Sequence, residues 1–309
     1  MNTSGLSGVF PVVPTPFGEG GAPDVAALLR LVDYAIDSGA DGVVFPGMAS
    51  EVETLSPAER GMLVQAVGAH VGRRVPFIVG ASDPDPIVAA ERAREGAEAG
   101  AAAAMIMASG KAGSDAAGQI AYFAKVALHC DLPIMLQNAP PPNGAGLQAS
   151  VIAEIAQAVA EIRFVKEETM PCGQHVSHIL RSCGGAVDAV FGGAGARYIM
   201  DELARGAAGT MPALELVDVH VALFRAWQAG DVARARLLYN ASLPLLMFQA
   251  VFRVRATKEV LRRRGLLTQV GARAAGPVLD AFDQREMMAL LADADAAGVF
   301  AAHRPDLSP

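Results

Sequence analysis

Short apolar runs rich in β-branched residues alternate about eight times with Ala- and Leu-rich stretches of helical length, and this alternation limits the fold more than any other feature. Strands are expected at 9–13, 42–45, 75–79, 103–107, 133–137, 162–166, 186–191 and 207–210. Helices are expected between them at 24–38, 57–71, 86–99, 115–129, 149–160, 173–182 and 196–205. Ser56-Pro57-Ala58-Glu59 reads as a helix start, with a capping box and a proline in the first turn. Gly39, Gly100 and Gly206 stand where helices should end. Strands that are apolar on both faces belong to parallel sheets covered by helices. Eight units of roughly 20–35 residues fit an α/β fold of the (β/α)8 TIM-barrel type better than a doubly wound sheet. The strand pattern stops after Met211, and helices are expected at 215–227, 231–252, 255–264 and 278–297. The expected division is a barrel over residues 1–212 and a helical extension over 213–309 packed on it, with a frayed tail from His303.

Composition excludes several classes of partner. Of 309 residues 52% are hydrophobic and 18% charged, as in a well-buried globular chain. A net charge of −7 attracts neither nucleic acid nor an anionic membrane. No uncharged apolar run approaches a membrane span; the longest, 239–252, is interrupted by Pro244 and reads as a buried or interface helix. Residues 1–8 carry no basic segment followed by an apolar core, so no signal peptide is expected. Cys130, Cys172 and Cys183 are an odd count without framework spacing, which suits a reducing, cytoplasmic setting.

Lysine is scarce. Only Lys111, Lys125, Lys166 and Lys258 occur, and Lys166 alone closes an apolar strand, Ile162-Arg163-Phe164-Val165-Lys166. An amine taken out of water gives up its proton more readily and, once neutral, attacks carbonyl carbon. Strand alternation puts Phe164, Lys166 and Glu168 on one face and Val165 and Glu167 on the other. The competing reading is a strand-end salt bridge.

In a barrel of this kind chemistry sits where strands end. Those ends carry Thr15-Pro16-Phe17, Gly47-Met48-Ala49-Ser50-Glu51, Ser109-Gly110-Lys111, Gln137-Asn138-Ala139-Pro140, Lys166-Glu167-Glu168 and Gly192-Gly193. With Val13-Pro14-Thr15-Pro16-Phe17, Leu132 to Pro140, Val165-Lys166-Glu167 and Lys258-Glu259-Val260-Leu261, the chain resembles the dihydrodipicolinate synthase / N-acetylneuraminate lyase family from about Gly8 to Gly265. The resemblance implies that Lys166 is a Schiff-base lysine and that the protein is a homotetramer or homodimer. Three departures stand out. The family's strand-five tyrosine is Gln137, its paired hydroxyls are Met48 and Ala49, and its strand-four aromatic pair is Ser109-Gly110-Lys111. An amide does not titrate, so the synthase's proton relay is missing. The 2-keto-3-deoxy-sugar-acid dehydratases, notably the L-2-keto-3-deoxyarabonate type, are more similar at Ser50-Glu51, at Ile134 to Gln137 and at Glu168.

The expected chemistry follows. Lys166 condenses with a small 2-oxo acid, and Glu168 removes a C3 proton before a C4 hydroxyl leaves or the C3–C4 bond breaks. A carboxyl in an apolar barrel mouth is expected to titrate above the ordinary range. Backbone N–H groups around Ala49 and Ser50 would hold the substrate carboxylate, with Gln137, Gly192 and Thr15 completing the substrate-binding set. Ser50 reads equally well as a turn residue, Gln137 as an internal hydrogen-bonding residue, and Glu168 as a salt-bridge partner. Cys172, His175 and His178 have helical spacing, but nothing completes a metal site, so neither metal nor cofactor is expected. Gly192-Gly193-Ala194-Gly195 could cradle a phosphate but lacks the rest of a nucleotide fingerprint. Two alternatives remain: an aldolase or synthase of the same class, and a barrel that has lost catalysis and binds ligand.

Overall fold

The structure, a computed structural model, describes residues 5–300 and 302–308. Its strands are β1 (Gly8–Val9), β2 (Val43–Phe45), β3 (Phe77–Gly80), β4 (Ala103–Met107), β5 (Ile134–Asn138), β6 (Ile162–Glu167), β7 (Ala189–Gly192) and β8 (Gly209–Thr210). The helices that alternate with them are α1 (Val25–Asp37), α2 (Pro57–Val71), α3 (Pro86–Glu98), α4 (Ala116–Ala127), α5 (Ala149–Ala158), α6 (Cys172–Cys183) and α7 (Ile199–Ala204). Then come α8 (Val217–Gln228), α9 (Val232–Phe252), α10 (Val254–Arg263) and α11 (Ala281–Ala296). Two compact units result: residues 5–8, Pro76–Ala194 and Tyr198–Met211 form one, and residues 9–75, 195–197 and 212–308 the other.

In the first unit β3 to β8 lie side by side in chain order, all parallel. Nearly every residue in these strands is buried, which explains their continuous apolar character. Asp85 and Asp115 cap α3 and α4 through their carboxylates. The strand expected at 186–191 starts later, at Ala189, because Ala186 turns back to bond the Cys183 carbonyl (2.9 Å).

In the second unit the first expected strand is cut short. Pro11 and Pro14 cannot donate to a ladder, and Val12 between them keeps isolated parallel bridges to Val44 and Ala213. Helix α2 begins with the expected capping box, Ser56 and Glu59 each accepting the other's N–H. Helix α9 runs unbroken through Pro244, matching the helix expected at 231–252. The tail beyond His303 is not frayed either. Arg264, anchored on Asp218 (2.6 Å) and the Tyr34 hydroxyl (2.7 Å), donates to the carbonyls of Ala302 and His303 (both 2.9 Å). Arg263 holds the Ser308 carbonyl (2.7 Å). The same packing buries two other titratable groups. Burial pushes Glu215 up to about 7 and His220 down to about 4. Among the described residues no helix is long and apolar enough to cross a membrane.

Candidate active site

Parallel register fixes which side chains share a face in the first unit. Residues 107, 137, 166, 191 and 209 form one row across β4 to β8, so Gln137 and Lys166 are direct neighbours. Lys166 is only 4% exposed, its stem enclosed by apolar strand residues. Its Nζ stands 3.4 Å from Glu168 Oε1. That oxygen also accepts the Ala194 N–H (3.1 Å), while Oε2 accepts from Gln137 Nε2 (2.6 Å). The Glu168 backbone extends the ladder by donating to the Asn138 carbonyl (2.9 Å). Gly193 makes room for this arrangement, since a Cβ there would lie 2.5 Å from Glu168 Cγ.

The charge state of Glu168 differs from the expectation. Burial alone would raise it, but the Lys166 ammonium, the Gln137 amide and the Ala194 N–H together hold it below the ordinary carboxylate range. The resting site therefore carries an ionised carboxylate beside the lysine.

The next row faces the opposite way: Asn138, Glu167, Gly192 and Thr210. Asn138 is a two-way clamp, accepting the Leu147 N–H (2.8 Å) and donating to the Leu147 carbonyl (3.0 Å) and to Glu167 Oε2 (2.8 Å). The other Glu167 oxygen accepts the Thr169 N–H (2.6 Å) and its hydroxyl, which also bonds His175 Nδ1 (3.1 Å). Burial pushes Glu167 up to about 7 against these donors. Gly192 presents no side chain because the Glu202 carboxylate fills that place, 2.0 Å from where a Cβ would stand. Among the described residues no group of three or more His, Cys, Asp or Glu could hold a metal ion.

Thr15, Ala49 and Ser50 belong to the second unit. Thr15 donates its hydroxyl to the Ser50 carbonyl (2.7 Å). Ser50 is fully buried, its hydroxyl donating to the Val13 carbonyl (2.5 Å) and accepting the Gly47 N–H (2.9 Å). Its own N–H bonds the Gly47 carbonyl (2.9 Å), so its N–H is used within the turn and its hydroxyl on Val13. Ala49 lies in that same 3-10 turn, Met48–Ser50. Glu51 follows in a left-handed conformation (φ 57°) and forms a fully buried ion pair with Lys258 (2.5 Å). Its second oxygen accepts the Ala274 N–H (2.6 Å). The Phe17 ring lies 4.4 Å from both Lys258 Nζ and the Arg273 guanidinium.

The model of the dihydrodipicolinate synthetase family matches residues 5–294. The chain belongs to that family. Its members here are lyases, and this protein is one as well. It is 30% identical over 287 residues to the L-2-keto-3-deoxyarabonate dehydratase of Azospirillum brasilense, covering 92% of this chain and 93% of that one. A 4-hydroxy-tetrahydrodipicolinate synthase of Corynebacterium aurimucosum is 31% identical over 309 residues, covering 97% and 96%. The crystal structure of dihydrodipicolinate synthase from Rhodopseudomonas palustris superimposes with a TM-score of 0.86 at 26% identity, covering 94% and 98%.

Of the family positions singled out in the sequence, the first unit brings together Lys166, Glu168 and Gln137, with Gly192 offering backbone only. Three contributors escaped the sequence reading. The Ala194 N–H and the space left by Gly193 carry no side-chain signal beyond the Gly192-Gly193 pair. Glu202 lies in the first turn of α7 beside Asp201, nine residues after Gly193, and no local pattern in the sequence ties it to that pair.

Proposed function

We propose that this lyase is a Schiff-base enzyme that dehydrates a 2-keto-3-deoxy sugar acid. The observation that carries this reading is the convergence of Lys166, Glu168 and Gln137 on one face at the ends of β5 and β6. Lys166 would first give up one ammonium proton; its neutral Nζ would attack the C2 carbonyl, whose oxygen takes that proton and one from the nitrogen and leaves as water, giving a protonated imine. Glu168, ionised at rest, would take a C3 proton as the electron pair moves into the iminium to form an enamine. The enamine would then expel the C4 hydroxyl, which leaves as water with the proton Glu168 gained. Hydrolysis frees the lysine, and the released 3,4-unsaturated acid, where it bears a 5-hydroxyl, isomerises by proton shift to the 2,5-dioxo acid. Gln137 would orient Glu168 without titrating, in the place where the synthases keep a tyrosine.

The similarity to a 2-keto-3-deoxyarabonate dehydratase supports the dehydration; the comparable similarity to a synthase keeps carbon–carbon chemistry as the alternative. Borohydride reduction in the presence of pyruvate or a 2-keto-3-deoxy acid should leave a mass adduct on Lys166, and its absence with every 2-oxo acid would refute the Schiff base. Product analysis separates the two reactions: a dehydrated 2,5-dioxo acid means dehydration, and pyruvate plus an aldehyde means aldol cleavage. Strand–helix alternation, all-parallel register and the family match support a (β/α)8 barrel over residues 1–212 with a helical extension over 213–309. Leu237, Met247 and Val251, 45%, 53% and 58% exposed on α9, support a homodimer or homotetramer, testable by light scattering.

A further inference from the structure

In the row behind Lys166, one register position, Gly192, is filled by a side chain from another element. Gly192 lies between Glu167 and Thr210 in register, and residues aligned on parallel strands send side chains to the same face. The direction that a Gly192 side chain would take runs into the Glu202 carboxylate, so Glu202 and Thr210 share that face. Both residues are fully buried. Both Glu202 oxygens and the Thr210 hydroxyl lack a hydrogen-bond partner among the described residues. No hydrogen bond joins Glu202 to Thr210, although both side chains lie on this one buried face. Buried polar groups in folded proteins are satisfied, by ordered water where protein does not serve.

We propose that the unpartnered Glu202 carboxyl and Thr210 hydroxyl hold one buried water between them beside Gly192, with Glu202 donating to it as an uncharged acid. The surroundings favour the uncharged form. Glu167 and Glu168 from the β6 end and Asp201 from α7 itself are all acidic neighbours, and the Cys172 thiol of α6 offers no positive charge. On α7 itself Arg205 is paired with Asp201 (2.8 Å). Burial, with these acids, pushes Glu202 up to about 8. The water is on the face opposite Lys166, so it is no substrate site. It would fasten the end of β8, the register neighbour of β7, to α7, and so brace the connection between β7 and α7 that contains the Gly193-Ala194 segment whose N–H bonds Glu168.

The test uses the intact chain and needs no activity. A high-resolution crystal structure should show one ordered water within hydrogen-bond distance of the Glu202 carboxyl and the Thr210 hydroxyl, lost in Thr210→Val. Infrared difference spectra, wild type minus Glu202→Gln, should at pH 7 show a positive protonated-carboxyl C=O band on top of those of Glu167 and Glu215; the replacement is isosteric, neutral and expected to fold. Amide exchange at Ala194 should be faster in Thr210→Val than in wild type. A direct Glu202–Thr210 hydrogen bond, a dry gap, or a band unchanged in Glu202→Gln would each overturn the proposal. These readouts are independent of borohydride trapping, so the water site can fail while the Schiff base stands, or the reverse.

Discussion

Glu168 is an anion bonded at both oxygens, so in the proposed reaction it would act as a base before it could be an acid. Glu168→Gln should keep the borohydride adduct at Lys166 yet lose about 10²–10⁴-fold in kcat, the usual worth of a positioned acid–base group. Gln137→Leu removes one of the donors that hold Glu168 low. Its carboxyl must then rise, so the acidic limb of the rate–pH profile should move to higher pH, as stopped-flow rates at several pH values would show. The pairing of Lys166 with Glu168 was legible in the sequence because strand alternation is a two-residue rule. The charge on Glu168 was not, because it depends on an N–H donated from Ala194, 26 residues further on.

At the scale of elements, the ends of β5, β6 and β7 are fixed from behind as much as from within. Asn138 ties β5 to Leu147 and to Glu167, so Asn138→Ala strands three buried partners, each costing roughly 1–3 kcal/mol when unsatisfied. Limited proteolysis should then cut between residues 139 and 147 faster than in wild type. Gly193→Ala should depress kcat more than thermal stability, because the added methyl meets Glu168 itself rather than the core. Element order and most strand ends could be read from apolar periodicity. The clamp could not, since an asparagine after a strand reads equally well as a turn residue.

Long-range pairing is where a whole-molecule view adds most. Glu51 and Lys258 are 207 positions apart and fully buried together, a contact no local pattern announces. Lys258→Met leaves the Glu51 carboxylate without its cation and should cost about 3–5 kcal/mol in denaturant unfolding. Stability should also depend on pH in a definite direction. A carboxyl raised in the fold binds its proton where the unfolded chain has released it, so the contribution of Glu202 is complete below its ordinary value of 4.5 and lost as pH rises toward about 8. Thermal melts of Glu202→Gln should lack that part of the decline.

Glu167, Glu202 and Glu215 all hold protons into the neutral range, while His220 gives its own up early. Near the sequence isoelectric point of about 5.4, three carboxyls are thus uncharged in the folded chain and one imidazole offsets one of them. Folded protein should accordingly focus at a more alkaline position on a native gel than the same chain does in urea, and the interval between the two bands measures how many acids the interior has silenced.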